Sequence, residues 1–285
     1  MKKKLAKKKK NTRRKKFKLH AKLIIAVCAF LFSGLMVLGS TYAWFVSEDE
    51  ENNHFVGARL SAEIVEDFVP DFEWQSGMTV KKVVRVKNTG NMPAFVRISL
   101  YEYLLMFKID VADQTGNGNL ALSPNAVQPI VEIEHPKNWA NAAAGGGTFL
   151  YDGYYYIAKS AVIPANAADR YKFKDAARNA TDLKWFKVNF PTNIYESLPA
   201  SGTQNYWLYQ DGYFYYSELL EPNDLTTPII ESVSLDQSAP NKFKGALYKL
   251  EPVMDAHDAT QILLSNWEIA PSSPAANLYK DRLSD

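Results

Sequence analysis

Thirteen lysines and arginines crowd residues 1–22 with no acidic residue among them, and the apolar run of residues 23–39 follows at once. A run without a polar face cannot form one layer of a water-facing fold. The run ends in Ser40-Thr41-Tyr42-Ala43-Trp44-Phe45, where the small residues Thr41 and Ala43 flank Tyr42. A basic segment, an apolar segment and a small-x-small site, in that order, predict a signal peptide over residues 1–43. The apolar part forms its helix, and a signal peptidase reads Thr41, Ala43 and Trp44. Basic flanks stay on the cytoplasmic side, so the remainder crosses. A second reading stays open: residues 23–46 are long enough for a retained anchor, since about 20 apolar residues span a bilayer. The protein is then single-pass with its domain outside, and membrane contact runs through residues 23–46 alone.

The basic block is not read as a nucleic-acid arm, because such arms do not run straight into an apolar stretch. It holds 13 of the 33 basic residues, which leaves 20 against all 31 acidic residues, a formal net of −11 for residues 44–285. An acidic domain argues against nucleic acid as a partner. Glu48-Asp49-Glu50-Glu51 marks residues 44–53 as a flexible acidic start. The single cysteine, Cys28, lies inside the apolar run after Val27, a poor lipidation context, so no disulfide staples the domain. Its stability rests on a buried core, for which 242 residues suffice.

From residue 54 to about 270 the pattern is β-rich. Phe55, Ala58, Leu60, Ala62 and Ile64 nearly alternate, and Val80 to Val86 form a valine strand. A connector follows at Lys87-Asn88-Thr89-Gly90-Asn91-Met92-Pro93, and then a strand over residues 94–103. Two stretches set Asp-Gly between aromatic runs: Tyr151-Asp152-Gly153-Tyr154 and Gln210-Asp211-Gly212-Tyr213. Asp-Gly supplies the positive φ angles of a tight hairpin, so both predict β-hairpins. Residues 104–205 read as a partly helical or loop insertion, with the best helix candidate at 166–182. Residues 254–266 read as helix or strand, and residues 271–285 as a mobile tail.

No catalytic pattern emerges. His54, His135 and His257 lie outside any His-Glu-x-x-His, and Gly-x-Ser-x-Gly is absent. Asp255, His257 and Asp258 form the densest polar cluster, read as a solvated loop and not as a metal site. Neither catalytic residue, metal nor cofactor is assigned. Alternating rings on hairpins ordinarily pack cores. Where exposed, Tyr154, Tyr156, Tyr213 and Tyr215 are candidates for a contact face towards carbohydrate or protein.

The leader ending in Thr41-Tyr42-Ala43-Trp44-Phe45 resembles the signals cut by SipW-type signal peptidases. Asn53-His54-Phe55-Val56-Gly57, then Trp74 to Gly77, the valine strand with Lys87-Asn88-Thr89-Gly90, and Pro93-Ala94-Phe95-Val96-Arg97 are similar to the TasA/camelysin-like exported proteins of Gram-positive bacteria. The Asp211-to-Tyr216 hairpin also fits. The resemblance covers residues 22–103 and 206–236. It implies a SipW-type signal peptidase as partner, a jelly-roll antiparallel β-sandwich, and a surface or biofilm-matrix role outside the cell. Camelysin-like members carry a metallopeptidase expectation, for which the required residues are missing here. Three functions follow as expectations. One is a structural protein that associates with itself or with envelope and matrix components by strand addition, donating a segment that includes Phe45, Phe55, Ala58 and Leu60. The second is an anchored binding module that presents its aromatic hairpins to carbohydrate or protein. The third is a secreted hydrolase.

Overall fold

The computed structural model describes residues 59–67, 74–174, 178, 180–284, all within the unit Val56–Asp285. Its twelve strands are β1 (Ala62–Asp67), β2 (Thr79–Asn88), β3 (Phe95–Phe107), β4 (Leu122–Ser123), β5 (Thr148–Tyr151), β6 (Tyr154–Val162), β7 (Phe186–Asn189), β8 (Ile194–Tyr195), β9 (Trp207–Gln210), β10 (Tyr213–Tyr216), β11 (Ile230–Leu235) and β12 (Leu247–His257). The described residues also hold three short helices: α1 (Trp139–Gly145) between β4 and β5, and α2 (Ile262–Asn266) and α3 (Pro274–Tyr279) after β12.

The strands form two sheets. One runs β1-β2-β11-β7, the other β4-β6-β3-β10-β9-β8, with β12 on the far side of β3 and β5 on β6. All pairs are antiparallel except the short β8–β9 ladder. Both sheets feed the main core: Val84, Val86, Phe186 and Ile230 from the first, Val96, Ile98, Phe214 and Leu250 from the second. The protein is an all-β sandwich.

β3 is the axis of the second sheet. β12 pairs with it from Phe95 to Leu105, while β10 takes its other edge at Arg97 and Ile98 and β6 takes Leu104 to Phe107. Alternate side chains face opposite ways along a strand. Val96, Ile98, Leu100, Leu104 and Met106 therefore enter the main core. Phe95, Tyr103, Leu105 and Phe107 face outward and are covered too. Trp139 and Ala142 of α1 close one patch, and Trp267, just past α2, with Ala275 and Tyr279 of α3 close the other. Burial on both faces explains why this strand reads as nearly continuous apolar sequence.

Glu102 is the exception on the inward face. Arg178 Nε donates to it at 2.6 Å, a second guanidinium nitrogen closes a two-pronged pair, and Tyr248 Oη donates at 2.6 Å. Burial pushes the Glu102 carboxyl above its usual range, against the pull of Arg178.

Both Asp-Gly hairpins form with two-residue loops, pairing Tyr151 with Tyr154 and Gln210 with Tyr213. Asp152, Gly153, Asp211 and Gly212 all have positive φ, between 46° and 82°. That geometry matches the twist of the flanking strands. The Lys-Asn-Thr-Gly turn is also structural. Buried Asn88 donates through Nδ2 to the carbonyls of Met92 and Leu220, and its Oδ1 accepts from Gly90 N–H.

Three expectations need correction. Residues 104–205 are not an insertion beside the sandwich: they supply the end of β3 and all of β4 to β8, in both sheets. Only the β5–β6 hairpin was legible locally, because the other strands take their register from partners farther along the chain. Within the 166–182 stretch the described residues hold only a 3-10 turn, Ala167–Asp169, capped by Asn166. The tail beyond residue 271 is anchored: Ala275, Ala276 and Tyr279 are buried and Tyr279 Oη donates to the Tyr216 carbonyl. Residues 254–266 split, the strand running to His257 and helix α2 beginning at Ile262.

Candidate functional site: the open edge of the sandwich

A sandwich has two sides where sheet edges meet solvent. On one side the chain passes from β7, the edge of the first sheet, to β8, the edge of the second, within residues 190–193. On the other side lie β1 and β12. Among the described residues β1 pairs only with β2, and β12 only with β3. Each therefore presents an outer row of main-chain N–H and C=O groups without a strand partner, the feature that invites an added strand.

A groove of about 410 Å³ runs along this side. β12 forms one wall from Leu247 to Pro252, and Ile64 and Glu66 of β1 form the other. Ile133 and Trp139 also line it. Pro252 lacks an N–H and is tolerated because the strand is an edge. Lys82, on the inward-facing row of β2 that continues into Val84, Val86 and Asn88, also lines the groove. Its side chain is 2% exposed and its Nζ lies 2.8 Å from Glu66 Oε2. Burial pulls the ammonium below its usual range, and Glu66 opposes that pull. Inward-pointing charge at an open edge is a recognised guard against promiscuous strand pairing. The chemistry on offer is main-chain hydrogen bonding, apolar seats and one buried ion pair.

The predicted site residues fall apart into separate places. Thr41, Ala43, Trp44, Phe45, Phe55 and Ala58 lie outside the described residues. Leu60 is 39% exposed just before β1. Its neighbours are tied down: Arg59 N–H donates to Asn91 Oδ1, and the Ser61 carbonyl accepts from Thr89 and Gly90. From Ala62 onward the chain is already β1. A donor segment thus ends before Arg59.

The four tyrosines do not share a face. Tyr215 is buried against Trp267 and Tyr279. Tyr213 is held between two guanidinium groups, Arg97 at 4.0 Å and Arg170 at 4.2 Å from its ring centre. Tyr156 is half-buried, and only Tyr154, 54% exposed, is offered to solvent. His257 sits beside Asp258 and receives Asn266 at its other ring nitrogen, while Asp255 holds Arg97. No group of three or more His, Cys, Asp or Glu suited to a metal occurs among the described residues. Sequence reasoning missed Lys82 and Glu66. A lysine interrupting the inward row of a valine strand was the available signal.

No family model, no curated protein and no solved structure matches this chain. Among the described residues no helix is long and apolar enough to cross a membrane.

Proposed function

We propose that this chain is an exported structural protein of the bacterial surface or extracellular matrix, a jelly-roll member of the TasA/camelysin-like group, which assembles by strand addition. The open β1/β12 side carries the reading. A segment N-terminal to Arg59, freed when a SipW-type peptidase cuts before Trp44, enters the groove of a second copy. Phe45, Phe55 and Ala58 occupy the apolar seats, and main-chain bonds to β12 supply most of the affinity. The basic and apolar leader supports export, and the absence of cysteine after Cys28 suits a domain that relies on its core alone.

N-terminal sequencing of the extracellular protein is expected to begin at Trp44. Removing residues 44–56 is expected to leave a folded monomer that no longer forms oligomers by light scattering and electron microscopy. Unchanged oligomers after that deletion would overturn the donor role. A protein found wholly in the cytosol would overturn export.

A further inference from the structure

We infer that a second site, separate from the open edge and independent of the assembly reading, binds a neutral saccharide. It is a trough of about 930 Å³, at the upper end of the size of small-molecule sites. One wall is the β5–β6 hairpin. Its register pairs Phe149 with Tyr156 and Tyr151 with Tyr154, which puts four rings on one face of the hairpin. Exposure rises along them. Phe149 is buried against Phe107, Tyr151 and Tyr156 are half-buried, and Tyr154 is open. The rings form a ladder leading out of the core.

The facing wall is polar. Asp110 and Asn119 stand at the two ends of a loop that closes on itself, Asp110 N–H donating to the Asn119 carbonyl at 2.7 Å. The loop is tied to the sandwich by Lys244 Nζ, which donates to the Asn117 carbonyl at 3.2 Å. Asp110 uses Oδ1 to hold Ala112 N–H at 2.8 Å, which leaves its second carboxylate oxygen for a ligand. Asn119 likewise keeps its side-chain carbonyl.

These features select a ligand class. A pyranose has one face of C–H groups that lies on an aromatic ring and a rim of hydroxyls that donate to carboxylate and amide oxygens. One carboxylate and one ammonium line the trough, so net charge favours neither anion nor cation. A proline-rich peptide fits less well, because it needs slots between rings. Here Tyr154 is the open ring, and Tyr151 and Tyr156 are half-buried beside it.

The test is calorimetric titration of the full chain with cellotetraose, maltotetraose and tri-N-acetylchitotriose, and with a proline decamer. At least one sugar is expected to bind. Tyr154→Ala, which removes an exposed ring, and Asp110→Asn, which keeps the Ala112 contact, are each expected to weaken it at least tenfold. Tyr195→Ala, outside the trough, is expected to leave it unchanged, with circular dichroism confirming that every variant is folded. Binding of the decamer alone, no binding of any sugar, or sugar binding unaffected by both trough variants would each overturn the assignment.

Discussion

Glu102 and Arg178 show what a buried charge demands. The carboxylate sits on the inward face of the central strand, where its neighbours on the same row are Leu100 and Leu104. Removing one partner strands the other, at a cost of about 3–5 kcal/mol, whereas replacing both with apolar residues is often neutral. Glu102→Ala is accordingly expected to lower stability by about 3–5 kcal/mol in urea titration, and the double variant Glu102→Leu with Arg178→Met to recover most of it. Lys82 gives a pH signature. Its folded-state pKa lies below the unfolded value, so the folded state binds that proton less tightly. The contribution is fully present above about pH 10.5 and is lost as pH falls through the folded value. Lys82→Met is therefore expected to gain less stability than the wild type between pH 7 and pH 10. Glu66, 31% exposed, can rehydrate once its partner is gone.

At the scale of elements, turns decide where strands begin. The backbone around Gly90 leaves no room for a side chain: a Cβ there would stand 2.3 Å from the Arg59 carbonyl oxygen and 2.8 Å from Ser61 N. Gly90→Ala must push residues 59–61 away from the turn. The expected result is faster amide exchange at positions 89 and 90 and in β1, with β3 unaffected. The C-terminal helix is the opposite case, an element whose worth the composition hid. Tyr279 is fully buried against Phe95 at 4.6 Å between ring centres, with its hydroxyl bonded to the Tyr216 carbonyl. Large aromatic-to-alanine changes in cores cost about 3–5 kcal/mol, and Tyr279→Ala is expected to fall in that range by thermal or chemical denaturation. The hairpins were legible because Asp-Gly acts locally. The tail was not, because Pro-Ser-Ser-Pro looks like a loop until Ala275, Ala276 and Tyr279 find a surface to cover.

For the whole molecule, the open side sets the prediction. Residues 44–285 contain no cysteine, so introduced pairs report cleanly. Phe55→Cys together with Glu251→Cys is expected to give disulfide-linked oligomers, while either change alone gives at most dimers. Non-reducing gel electrophoresis distinguishes these outcomes. Glu251 suits the purpose because it lines the groove on β12.

What the sequence determined by itself was whatever rests on neighbours along the chain. The period-two strands and the two Asp-Gly hairpins depend on interactions within a few residues. Tertiary structure alone decided that residues 104–205 belong to both sheets, that the tail is core, and that β1 and β12 have no outer partners among the described residues. It also decided that Tyr213 and Tyr215 are covered on the outer face of their sheet while Tyr154 stays open. Those outcomes depend on which distant strands meet, and period-two alternation names two faces without saying which of them another layer will cover.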